Sequence, residues 1–148
     1  MKVQLKDTIR FATLLLVLLT VKTNAQQTTK SIVKHRIVMQ LVTNDELAHK
    51  GLMKQLNNLK NGWGDTVMIE VVCHGPGIEL LMQEKSTQAS EIQKLQQRGI
   101  VFVACENTMH EKKILHNSIL PQIKFVTMGI GEIVLKQEQG WSYIKAGM

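Results

Sequence analysis

An α/β domain built on a mostly parallel sheet, with helices on both faces, is the fold this sequence predicts. Three observations predict it. Runs rich in β-branched residues recur from His35 to the end of the chain. Stretches of helical periodicity separate them, which implies crossover connections between parallel strands. The 148 residues are 44% hydrophobic and 20% charged, the length and composition of one globular domain rather than of a disordered tail or a disulfide-dense miniprotein.

The chain opens with an address. Lys2, Lys6 and Arg10 precede the apolar run Phe11 to Val21, and Thr23-Asn24-Ala25 supplies small residues for cleavage. This is the layout of a secretory signal peptide over residues 1–25, too short to span a bilayer. Residues 26–34 are polar and read as a flexible lead-in to one domain over 35–148. A bacterial exported protein destined for the periplasm fits best, with no stable membrane insertion after cleavage.

Arg36 to Val42 reads as strand one, apolar almost throughout, as a strand buried on both faces would be. Thr43 and Glu46 form a capping-box pattern for a helix to about Lys60, with Leu47, Gly51, Leu52, Leu56 and Leu59 on one face. Thr66 to Cys73 is strand two, and Pro76 suits the start of a short helix over Ile78 to Glu84. Ala89 to Arg98 is a helix closed by Gly99. Ile100 to Ala104 is strand three, ending at Cys105. Thr108 and Glu111 form a second capping box, opening a helix to about His116. Ile123 to Thr127 is strand four, Gly129 to Gln139 a helix, and Trp141 to Lys145 a short closing strand.

Composition narrows the function. Removing residues 1–25 takes four bases and one acid from totals of 18 and 12, which leaves a net charge of +3. That balance, with only 4% aromatic residues, gives no footprint for nucleic acid. No Cys-x-x-Cys, Walker or G-x-G-x-x-G pattern occurs, and the histidines form no metal motif, so no cofactor or metal is expected. Gly75-Pro76-Gly77 and Gly129-Ile130-Gly131 read as tight turns.

In parallel sheets ligands bind beyond the carboxyl ends of the strands. The loops there hold Thr43-Asn44, Cys73-His74-Gly75 and Cys105-Glu106-Asn107. Cys105 ends a strand just before a helix N-terminus, where free N–H groups favour a thiolate. Asn107 and Thr108 could cap that helix or donate toward the sulfur, and His74 could move a proton. A small apolar residue packed under the helix is the equal alternative for Cys105. Cys73 ends an apolar strand and reads first as a buried structural thiol. If strands two and three are neighbours, a bond between Cys73 and Cys105 becomes conceivable.

Cys73-His74-Gly75-Pro76-Gly77-Ile78 with Leu80-Leu81, then Val103 to Met109, then Gly140-Trp141-Ser142-Tyr143-Ile144 resemble the DsrE/DsrF-like (YchN-like) sulfur-relay family. The resemblance runs from His35 to Lys145. It implies a three-layer α/β/α sandwich on a five-stranded, mainly parallel sheet, flavodoxin-like in appearance, and a homotrimer or homohexamer. It also implies that Cys105 accepts sulfane sulfur as a persulfide and passes it to a partner protein.

Three functions follow. The first is a periplasmic sulfur carrier on Cys105, supported by Asn107, Thr108, His74, Gly75 and Asn44. The second is a non-catalytic oligomeric ligand-binding or assembly module. The third is a redox switch that uses Cys73 and Cys105.

Overall fold

The computed structural model describes residues 32–147, so the expected signal peptide and most of the lead-in lie outside the described residues. Among these residues five strands form one sheet: β1 His35–Leu41, β2 Val67–Cys73, β3 Val101–Cys105, β4 Lys124–Val126 and β5 Ser142–Lys145. Their order is β4-β3-β2-β1-β5, and every neighbouring pair is parallel. The α/β/α architecture expected from the sequence is therefore present, with an entirely parallel sheet.

Among the described residues four α-helices fill the crossovers: α1 Glu46–Trp63, α2 Ala89–Gln97, α3 Glu106–Lys112 and α4 Gly129–Glu138. The segment Gly75–Leu81 is a 3-10 helix with Pro76 in its first turn. The chain steps β1, β2, β3, β4 in one direction and then returns across the sheet to β5 at the far edge. With right-handed crossovers, the first three connections lie on one face and α4 lies alone on the other.

The core divides accordingly. Alternate strand residues Ile37, Met39 and Leu41, then Ile69, Val71 and Cys73, then Phe102 and Ala104 meet Leu52, Leu56, Ile78, Leu80, Ile92 and Met109 in one large cluster. Each fully buried Leu, Ile or Phe side chain contributes about 1.5–3 kcal/mol. The opposite cluster is small: Val38, Val72 and Val103 under Ile133 of α4. Glu70 also lies buried on that face, its carboxylate 2.8 Å from the Lys136 Nζ of α4.

Three expectations are corrected. Asp45, not Thr43, caps α1: its side chain accepts from the Leu47 N–H at 2.7 Å, while Thr43 Oγ1 accepts from the Asp45 N–H. Leu47 is 74% exposed, because five residues turn a helix about 140° away from the face of Leu52. Thr108 does not open the helix after β3. The helix starts at Glu106 with Cys105 as its N-cap, and Thr108 lies buried in the first turn.

Candidate functional site

Register and alternation place the two cysteines. Cys73 pairs across the ladder with Ala104, and both belong to the large core. Cys105 is one residue further along β3, so its side chain leaves the opposite face of the sheet, toward α4. The neighbouring strands thus do not bring the two thiols together. The redox pair suggested by strand adjacency is corrected by side-chain alternation, and both cysteines are free. Cys73 is 0% exposed, and burial alone pushes its thiol far above the usual range.

Cys105 is buried too, at 5% exposure, yet its thiol is held below the usual cysteine value. Burial by itself raises it. The N–H and hydroxyl of Thr108, the N–H of Gly129 and the N–H of Asn107 together outweigh burial. The Gly129 N–H donates directly to Sγ at 3.2 Å. The Asn107 N–H is already committed to Thr127 O at 3.1 Å, so it adds to the local field rather than closing on the sulfur.

Gly129 is glycine for a steric reason. A Cβ there would stand 3.1 Å from the His74 Cβ, 3.2 Å from the Cys105 Cβ and 3.3 Å from Val72 Cγ1. Those distances are tighter than ordinary carbon contacts of about 3.5–4.0 Å. Without the side chain, α4 begins close enough for its first N–H to reach the sulfur. A recess of about 420 Å³ opens there, with His74, Cys105 and Asn107 on one side and residues 128–131 on the other.

Thr108 is fixed from behind. Its hydroxyl accepts from the Gly75 N–H at 3.0 Å, and Gly75 turns at φ +53°, a conformation that suits glycine. Gly75 and Thr108 thus tie the β2 loop to the first turn of α3. His74 is half-buried, and burial pushes its imidazole below the ordinary value. Its Nε2 lies 2.8 Å from the Gln40 Nε2, and the Tyr143 hydroxyl donates to Gln40 Oε1.

Five of the expected residues therefore gather at one place: His74, Cys105 and Asn107 line the recess, with Gly75 and Thr108 behind it. Asn44 does not join them. It is exposed and reaches Glu79 Oε2 at 3.5 Å instead. His110 is exposed, and His116 bonds Glu106 at 3.2 Å over the Phe125 ring, away from the recess lining. Among the described residues no group of three His, Cys, Asp or Glu side chains is arranged to hold a metal.

Residues 128–131, Gln40 and Tyr143 complete the site and were not expected there. Gly129-Ile130-Gly131 directly after strand four was the available signal, since paired glycines also mark a close backbone approach. Gln40 and Tyr143 carry no local signal, because only the β1–β5 pairing brings them together.

No curated protein matches the chain. Solved structures do match, among them the following three. A protein of unknown function, MTH1491 from Methanobacterium thermoautotrophicum, is 30% identical, with a TM-score of 0.72 over 75% of this chain and 98% of its own. BT1422 from Bacteroides thetaiotaomicron, likewise of unknown function, is 20% identical, with a TM-score of 0.60 over 74% and 93%. The ychN protein from E. coli is 9% identical, with a TM-score of 0.57 over 75% and 98%, and it shares the fold. The DsrE/DsrF-like family profile matches residues 36–146, which take in the whole recess and all of the sheet but its first residue, so the chain belongs to the DsrE/DsrF-like family.

Proposed function

We propose that this protein is a periplasmic, sulfurtransferase-like sulfur carrier that holds sulfane sulfur as a persulfide on Cys105. The carrying observation is the Gly129 N–H on Cys105 Sγ at 3.2 Å, in a recess where a thiol is held below its usual value despite burial. Membership of a family associated with sulfur relay supports the reading.

The step is a sulfur displacement. The Cys105 thiolate attacks the outer sulfur of a hydropersulfide donor, R–S–SH. The Sγ–S bond forms as the donor S–S bond breaks, and the electron pair leaves on R–S⁻. The proton stays on the transferred sulfur, so no external oxidant or reductant is consumed. Thr108 and Gly129 favour the anion before attack, and Asn107 stands at the mouth as a donor to the incoming group. A donor or acceptor protein and a homotrimeric or homohexameric assembly belong to the same proposal.

Intact-mass analysis of the exported protein after incubation with polysulfide tests it, beside Cys105→Ser and Cys73→Ser. Gain of one or more sulfur atoms, reversible by reductant and lost only in Cys105→Ser, is expected. Undiminished loading of Cys105→Ser overturns the assignment. The 5% exposure of Cys105 favours a second reading, a ligand-binding module in which this thiol only lines the recess. A Cys105 inert to a small alkylating reagent at a pH where free thiols react would select that reading.

A further inference from the structure

The chain of side chains from Tyr143 through Gln40 to His74 has no part in the displacement above. We propose that Gln40 and Tyr143 are positioning residues for the same site, holding the His74 imidazole neutral with its proton on Nδ1. The proposal rests on reading the Cys105 recess as the sulfur site.

The argument is one of donors and acceptors. The Tyr143 hydroxyl donates to Gln40 Oε1, which turns the amide nitrogen of Gln40 toward His74. An amide NH₂ can only donate, so the His74 Nε2 at 2.8 Å must accept. An imidazole that accepts at Nε2 is neutral and keeps its proton on Nδ1.

The surrounding groups decide whether that state survives. Cys105 of β3, as a thiolate, would draw a second proton onto the ring. It is close: the His74 and Cys105 β-carbons lie 3.1 and 3.2 Å from one point above Gly129. Tyr143 and Lys145 of β5 lie on the same face, Lys145 in register with Gln40 and exposed to solvent. Residues 128–131 of the α4 side bring no titratable group to the recess. Burial of His74 acts in the same direction as Gln40. Cys105 therefore works as a thiolate held by amide N–H groups and not as half of a thiolate–imidazolium pair. A neutral His74 leaves the recess without a fixed positive charge beside the sulfur.

Long-range ¹H–¹⁵N correlation spectra of the ¹⁵N-labelled protein read the tautomer directly, with the His74 signals assigned by their loss in His74→Gln. The neutral Nδ1–H pattern is expected at pH 7. Gln40→Glu presents an anionic acceptor to Nε2, so it should move the proton there and raise the His74 midpoint by about 1–3 pH units. Tyr143→Phe frees the amide to turn and should give mixed tautomers. Because Tyr143 lies on the exposed edge strand, this variant carries the test alone if Gln40→Glu does not fold. An Nε2–H pattern in the wild type, or variants that leave the tautomer unchanged, overturns the proposal. The readout needs no sulfur donor. A protein that shows the Nδ1–H pattern but loads no sulfur would defeat the carrier reading and leave this inference standing.

Discussion

Adding one methyl group at residue 129 should damage both the packing and the thiol. In Gly129→Ala the new Cβ meets the β-carbons of His74 and Cys105 and a methyl of Val72 at 3.1–3.3 Å. Two of these atoms are fixed to strand-end backbone, so the start of α4 must retreat by several tenths of an ångström. Overpacking of this kind costs about 1–3 kcal/mol. Alanine returns up to about 1 kcal/mol of helix propensity over glycine in a helix interior, and less at a first helical residue. The net expectation is a loss of about 1–2 kcal/mol in urea unfolding. The retreat also lengthens the 3.2 Å bond from the Gly129 N–H to Cys105 Sγ. A hydrogen bond to a charged group is worth about 1.5–3 kcal/mol, and about 1.4 kcal/mol moves a pKa by one unit, so losing it should raise the thiol by about 1–2 pH units. Iodoacetamide, an uncharged reagent, reads this as the pH dependence of alkylation at Cys105, followed by mass. A Gly129→Ala protein as stable as the wild type with an unshifted alkylation profile would refute the steric account of the recess.

In the native protein Cys105 should alkylate with a midpoint below that of free cysteine, while Cys73 stays unmodified until urea unfolds the chain; equal rates at the two thiols would contradict their placement. A mild oxidant should yield no Cys73–Cys105 bond, and a two-dalton mass loss within the monomer would show that the faces assigned to them are wrong. Gly77→Ala sets a Cβ 2.3 Å from the Leu41 carbonyl oxygen, and since that oxygen is backbone and the Cβ is fixed to its own Cα it should cost at least about 3 kcal/mol in urea unfolding, where no measurable change would count against the close approach. Lys136→Met removes the cation from the buried Glu70, whose Oε1 already has no partner, and should cost about 3 kcal/mol at pH 8. Burial holds Glu70 above the ordinary carboxylate range against the pull of Lys136. Its stabilising contribution is therefore full below the unfolded value and is lost as pH rises through the folded one, so this variant should recover stability between pH 8 and pH 5. A deficit that grows as pH falls would reverse that sign.

What the sequence made legible was whatever depends on local pattern. All five strands and the crossover alternation follow from runs such as Val67–Cys73 and Val101–Cys105, which are apolar because they are covered on both faces. Cys105 and His74 were readable as site residues because a strand end followed at once by a helix is itself a local pattern. Pairing order was not readable. Gln40 and Tyr143 are 103 residues apart and touch only because β5 returns to the edge beside β1. Asn44 occupies an equivalent strand end, but β1 lies two places from β3 in the sheet, so its loop faces Glu79 rather than the thiol. Thr108 looked like a cap and is instead a buried hydroxyl, because a capping-box pattern describes composition and not where the preceding strand stops.

The strand order also explains why the recess lies at β3 and not at another strand end. Sheets of this type form a crevice where neighbouring strands send their following connections to opposite faces. β1, β2 and β3 all exit toward the large core, as Leu52, Ile78 and Met109 show by belonging to it. β4 is the one strand whose exit, through α4, goes to the other face, where Ile133 meets Val38, Val72 and Val103. β4 is a sheet edge with a single neighbour, β3. The crevice can therefore open only between the ends of β3 and β4. There the last residue of β3 is Cys105 and the first residue of α4 is Gly129, so the topology alone delivers a backbone N–H to the thiol, and the absent side chain at 129 lets it arrive within bonding distance.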